Sequence, residues 1–420
     1  MPLLAWLRPL QRALAALHAP LRLALSVARA RSHLALEATT LARRSAAAAE
    51  ASFDDLLRRL PALCQPWEAR LARRPRAGRG IVVVAGGERY AALALPLLHS
   101  LRAVGCELPV EVFHLGAAEL QCEAMEALRE AAARLRLDVV FRDLLATHPT
   151  LCDAAGYGYA AKPLALLASA FDEVLLLDAD NRLLSDPTAL FECAEYARHG
   201  ALFWSDMHSF DAKFVRMYDP WQVRRRPTRF DAWLQDALDK YFLSPVRAKP
   251  DFRASLRKLG VDTSAPTAES GQLLVHKSRC LRGLAAVFVM NLNTQREFVY
   301  EGLHGDKDTF HIGFRAVGAP FHLIPRQPDL GGHVGENGCF FDSCFLQRPP
   351  GADSQPMFAH FCGRHRGEKR SPNITTYMAA RGRPFRSWPE DDRRGYLAGT
   401  LHPFPTTLAL ACKSDEYACL

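Results

Sequence analysis

Asp178 and Asp180 close the apolar stretch Phe171-Asp172-Glu173-Val174-Leu175-Leu176-Leu177-Asp178-Ala179-Asp180-Asn181. Two carboxylates one residue apart at the mouth of a strand can converge on one divalent cation. Hard oxygen ligands at that spacing suit Mg²⁺ or Mn²⁺ carrying substrate phosphates. A D-x-D pattern alone is common in turns, so the residues before it carry the argument. Val174 to Leu177 reads as a short strand buried on both faces, as the central strands of a parallel sheet are. In open α/β sheets ligands bind at the carboxyl ends of such strands.

Further residues could serve the same chemistry. Lys162 precedes Pro163, which suits the first turn of a helix running to about Ala170. The helix dipole disfavours a cation there, so Lys162 could face a phosphate; the bland alternative is an exposed lysine. Ala85-Gly86-Gly87 follows an apolar strand, and Gly86 would let backbone approach a ligand or simply make a tight turn. It is neither a G-x-G-x-x-G fingerprint nor a Walker loop. Trp204 could stack on a sugar or sit in the core, with Asp206 beside it. Glu269-Ser270-Gly271-Gln272 feeds the strand Leu273-Leu274-Val275, and buried polar groups in such a place suggest a site wall. Asp306 and Asp308 flank Lys307 at a helix start, where an acidic N-cap would also account for them. His360 stands ahead of Gly363, Arg364, His365, Arg366 and Lys369, a loop whose cations would suit a diphosphate.

The elements that must position these groups alternate. Strands are expected at 81–84, 110–115 and 137–141, with helices at 90–104 and 117–136 between them. That alternation predicts a mostly parallel, doubly wound α/β sheet. A helix is expected from Asp186-Pro187 through Tyr196, then a strand over 200–204. Arg224, Arg225, Arg226 and Arg229 read as a solvated loop or an acceptor-facing rim. Pro61 to Gly80, rich in Pro, Gly and Arg, reads as a linker.

The 420 residues are 49% apolar and 23% charged, enough for a packed core throughout. The net charge of +8 fits an anionic partner such as a nucleotide diphosphate, and equally an ordinary solvated surface. There is no recognisable nucleic-acid module. The eleven cysteines have no zinc-like spacing. Cys339, Cys344 and Cys362 lie close in sequence and could pair in an oxidising lumen, or remain thiols. Asn373-Ile374-Thr375 is a glycosylation sequon, used only if the chain is secretory. Residues 1–50 hold seven Arg and no Lys, with no acid before Glu37. That composition reads as a transit peptide, a surface-lying helix, or a stem whose anchor lies upstream. Its longest run without Arg or acid, Ala13 to Leu21, is too short and too broken by Pro20 to span a bilayer.

Taken in order, the motifs resemble a known family. They are Lys162-Pro163, the Ser169 to Asn181 stretch, Asp186-Pro187, Leu190-Phe191-Glu192, Gly200 to Trp204 with Asp206, Glu269 to Gln272, and Gly305 to Phe310. Over about residues 80–370 the chain is similar to the fungal Golgi α-mannosyltransferases of glycosyltransferase family 71, and more distantly to the family-8 retaining glycosyltransferases. The resemblance implies a GT-A-type nucleotide-diphospho-sugar transferase fold, a GDP-mannose donor, Mn²⁺ or Mg²⁺, a mannose-containing glycan acceptor, and a place in the Golgi lumen. It assigns Asp178, Asp180 and His360 to the metal. Lys162, Ala85, Gly86, Gly363 and Arg366 or Lys369 fall to the nucleotide diphosphate. Trp204, Asp206 and Gln272 fall to sugar or acceptor. Asp306, Lys307, Asp308 and Glu269 fall beside the reacting carbon, with Lys307 where family 8 carries glutamine. The expected divisions are a targeting or stem segment over 1–75, a catalytic domain over 76–395 and a tail over 396–420. Membrane association would come through the N-terminus or an upstream anchor.

No enzyme nucleophile is evident, which favours front-face displacement through an oxocarbenium-like state. Three alternatives stand beside this reading. One is a UDP-sugar donor, since no single residue chooses guanine over uracil. Another is a non-catalytic sugar-binding relative. The last is a haloacid-dehalogenase-type phosphatase, whose D-x-D motif wants Thr or Val where this chain has Arg182.

Overall fold

The computed structural model describes residues 53–116, 119–120, 122–155, 158–206, 255, 257–259, 268–293, 295, 299–300, 303, 305–326, 328–334, 340–351, 354–361, 376–378 and 401–403. Seven strands make the central sheet: β1 (Arg79–Val84), β2 (Val110–His114), β3 (Val139–Asp143), β4 (Glu173–Asp178), β6 (Ala201–Ser205), β7 (Ala268–His276) and β8 (His322–Ile324). Their order is β3-β2-β1-β4-β7-β6-β8. All pairings are parallel except the two made by β7, which runs against both β4 and β6. The expected mostly parallel sheet is therefore present.

The apolar run in β4 is explained by its two neighbouring layers. Val174 and Leu176 face one core, with the helices Phe53–Ala72, Ala161–Ala168, Leu281–Met290 and Lys307–Ala316. Leu175 and Leu177 face the other, with the helices Gly87–Ala103 and Cys122–Arg134. All four side chains are fully buried. Each such burial stabilises the fold by about 1.5–3 kcal/mol. A strand covered on both faces has no polar positions to alternate with.

A second, antiparallel sheet has the order β13-β12-β9-β10-β11-β5. Its strands are β5 (Asn181–Leu183), β9 (Asp329–Val334), β10 (Phe340–Gln347), β11 (Phe358–His360), β12 (Thr376–Met378) and β13 (Leu401–Pro403). Sequence periodicity did not foresee it, because its strands are short and paired across long separations. Asp178 ends β4 in the first sheet and Asn181 begins β5 in the second. The D-x-D turn is thus the crossing between sheets.

Three local expectations change. The third strand lies two residues later than the pattern suggests, at 139–143. Arg136 takes a left-handed φ of 53°, and Leu137 N–H bonds back to Ala132 O, so the turn consumes 135–138. The helix after Asp186 splits into a 3-10 turn over Pro187–Glu192 and the helix Ala194–His199. The stretch read as a linker from Pro61 is helical to Ala72, through Pro61 and Pro66. Phe53, Leu56, Leu57, Leu60, Cys64, Trp67 and Leu71 form one buried stripe at helical spacing, and their packing outweighs both breakers. Among the described residues no helix is long and apolar enough to cross a membrane. Cys64, Cys106 and Cys280 are buried thiols. Cys339, Cys362, the sequon and the Arg224–Arg229 run lie outside the described residues.

Candidate active site

The two sheets meet at Asp178, Asp180 and His360. The antiparallel pairing of β11 with β5 places His360 opposite Asn181. Phe361 N–H donates to Asp180 O at 3.0 Å, which ties the strand end to the D-x-D turn. His360 Nε2 then lies 3.2 Å from Asp180 Oδ1 and 3.8 Å from Asp178 Oδ2. One ligand atom from each of the three residues falls within 4.8 Å of the others. Arg182 braces the turn from below: buried, it donates to the carbonyls of Leu93, Ala179 and Asn181. Sequence reasoning used Arg182 only to argue against a phosphatase; an arginine two residues after the paired acids was the available signal.

Strand β7 forms the wall. Glu269 Oε1 accepts from the backbone N–H groups of Ser270 and Gly271, at 2.8 and 2.9 Å. It also lies 3.9 Å from His360 Nδ1. Asn181 Nδ2 donates to Gly271 O at 2.5 Å. Gly271 itself leaves room for the imidazole: a β-carbon there would overlap the His360 ring. Ser270 was missed as a site residue, although it lies inside the polar cluster singled out ahead of Leu273, which the structure makes part of β7.

Lys162 enters from the helix Ala161–Ala168, near its N-terminus as expected. Its Nζ donates to Asp178 Oδ2 at 2.9 Å and Ser270 Oγ at 3.1 Å, with Asp306 Oδ2 at 3.8 Å. Burial opposes its charge, but Asp178, Asp306 and Glu269 more than offset that and raise its pKa. Lys307 pairs with Asp206 across the site. Its pKa also rises, burial being overcome by Asp206, Asp308 and Glu269. Burial pushes Asp306 up to about 6, with Lys162 opposing the rise and Asp178 adding to it. Burial and then Asp206 raise Glu269. His360 reaches about 9, because Asp180, Glu269 and Asp178 outweigh the burial that disfavours its cation. Six carboxylates thus surround two lysines and one imidazole.

Those donors fit a divalent ion. The atoms are carboxylate oxygens of Asp178 and Asp180 and the imidazole nitrogen Nε2 that faces them, and acids are in excess. Ala85 and Gly86 lie at the same sheet edge, since Val84 stands abreast of Asp178 in the β1–β4 register.

Other expected residues fall elsewhere. Trp204 is fully buried, donates from Nε1 to Arg348 O at 2.7 Å and meets Phe358 edge to face. It offers no face to a sugar, because both sheets close over it. Gln272 is also fully buried. Asp308 lies inside the helix Lys307–Ala316, 3.5 Å from His311 Nε2, and acts on the site through Lys307. Gly363, Arg366 and Lys369 lie outside the described residues.

An α/β sheet with a twin-acid turn, a distant histidine and buried lysines at one edge is the arrangement expected above of a GT-A-type glycosyltransferase. Residues 78–349 match the Mannosyl_trans3 family of mannosyltransferases, and the chain is a member of that family. It is 28% identical to the α-1,2-mannosyltransferase MNN21 of Candida albicans over 296 residues, which cover 63% of this chain and 42% of the relative. To MNN2 of Saccharomyces cerevisiae it is 25% identical over 281 residues, 62% of this chain and 44% of that one. The chain therefore spans less than half the length of these curated relatives. A solved structure, the mannosyltransferase Ktr4p from S. cerevisiae, overlaps 64% of this chain and 79% of its own at 8% identity and a TM-score of 0.36. The family assignment does not rest on that likeness.

Proposed function

We propose that the chain is a metal-dependent, retaining α-mannosyltransferase that moves mannose from GDP-mannose to a mannose-containing glycan in the Golgi lumen. The observation that carries the reading is the convergence of Asp178, Asp180 and His360 beside Lys162, in a member of a mannosyltransferase family. Asp178, Asp180 and His360 would hold Mn²⁺ or Mg²⁺, which when bound supplies positive charge for the departing diphosphate. Lys162 adds a buried cation at the same place, worth more there than in water. Asp206, Lys307 and Asp306 bind and orient the sugar hydroxyls. Glu269, fixed by two backbone N–H groups, presents its carboxyl oxygen to the anomeric carbon as positive charge develops there. In front-face displacement the bond from that carbon to the phosphate oxygen breaks. The acceptor oxygen bonds on the same face, and its proton passes to the departing phosphate oxygen.

The test is transfer from GDP-mannose to α-mannoside acceptors with Mn²⁺, with the product anomer read by NMR. The wild-type chain should give the α product. Asp180→Ala should lose on the order of 100-fold or more while keeping its melting temperature. An Asp180→Ala protein that transfers at wild-type rate without manganese sinks the assignment.

A further inference from the structure

One carboxylate at this sheet edge has no part in the site as described so far. Glu119 lies in the turn after β2, where its own N–H and that of Leu120 bond to Gly116 O, both at 3.2 Å. Its Oε2 accepts from Leu115 N–H at 2.6 Å, which fixes the side chain. The carboxylate then rests on Gly86: a β-carbon at 86 would overlap both oxygens. Gly86 follows the end of β1, where Val84 stands abreast of Phe113 on one side and of Asp178 on the other. Glu119 therefore caps the carboxyl ends of β1 and β2, about 10 Å from Asp178 at ordinary strand spacing. That is the scale separating a nucleobase from its diphosphate. Glu119 is half-buried, and the structure gives Oε1 no hydrogen-bond donor among the described residues.

We propose that Glu119 reads the base of the donor nucleotide and selects guanine over uracil; this rests on the transferase reading above. An ionised carboxylate only accepts hydrogen bonds. The Watson–Crick edge of guanine presents two adjacent donors, N1–H and the 2-amino group. Uracil presents one N–H between two carbonyl oxygens, which a carboxylate repels. Glu119 supplies a charged acceptor already held in place, so little ordering is needed on binding.

The experiment is calorimetric titration of the full chain with GDP, IDP and UDP, all with Mn²⁺, for wild type, Glu119→Gln and Glu119→Ala. Glutamine keeps an oxygen for Leu115 N–H and turns donors toward the base. Wild type should bind GDP at least tenfold tighter than UDP, with IDP, which lacks the 2-amino group, in between. Glu119→Gln should lose roughly tenfold toward GDP, bind GDP and IDP alike, bind UDP at least as tightly as wild type does, and keep its melting temperature. Glu119→Ala should lose the same preference. Equal loss toward GDP and UDP, or unchanged GDP binding in the glutamine variant, overturns this inference alone and leaves the transferase standing. A wild-type chain that binds none of the three overturns both.

Discussion

At the scale of single residues, the site depends on a side chain that is missing. Gly271 has no β-carbon, and the His360 ring fills that space, close to Glu269 and facing Asp178 and Asp180. Gly271→Ala should push the imidazole away from the two acids. Manganese affinity, read by titration against melting temperature, should weaken on the order of tenfold. The overpacking should cost about 1–3 kcal/mol of stability. Unchanged manganese affinity in a folded Gly271→Ala protein would mean that His360 does not share the ion with the aspartates. The tetrapeptide around Gly271 was legible as a polar cluster before a strand. Its contact with a histidine 89 positions later was not, because nothing local encodes which residue will fill the gap.

At the scale of elements, the active-site edge is held from both sides. Strand β4 brings Asp178 to the edge, and β5 and β11 bring Asp180 and His360. The helix Phe53–Ala72 supports the same core by packing against the helix Leu281–Met290, with Trp67 edge-on to Phe288 at 4.7 Å between ring centroids. Trp67→Ala should therefore cost about 3–5 kcal/mol in urea unfolding, the loss expected for a buried aromatic. A change below about 1 kcal/mol would place the helix outside the cooperative core. Its seven buried residues at helical spacing were readable in the sequence, yet Pro61 and Pro66 directed attention to a linker. The breaker rule is local, and it yields where an entire apolar stripe has a partner.

At the scale of the whole molecule, stability should vary with pH through a buried lysine far from the chemistry. Lys277 donates to the carbonyls of Leu166 and Ser169, at 3.2 and 2.7 Å. Burial first, then Arg76 and Arg74, lower its pKa to about 7 against the pull of Glu111 and Asp172. The unfolded chain holds that proton up to about pH 10. Between these values the unfolded state binds more protons, so this lysine should make stability rise as pH rises from about 7 toward 8. From about pH 8.5, where the unfolded thiols ionise, Cys64 and Cys280, pushed up by burial to about 12, act in the opposite sense. Urea midpoints at pH 7, 7.5 and 8 should climb in the wild type and stay flatter in Lys277→Met. Parallel curves would mean that the ammonium remains charged in the fold.

The sequence by itself determined the parallel part of the sheet, the D-x-D edge and the helix bearing Lys162. Each is written in adjacent residues, as an apolar run that needs cover on two faces or a motif at fixed spacing. It also gave the order of motifs that the family match bears out. Only the tertiary structure decided that Trp204 belongs to the core, that Arg182 braces the turn and that His360 fits against Gly271. These depend on which distant surfaces close over a residue. That choice is made by packing between two sheets, to which neighbours in the chain contribute nothing.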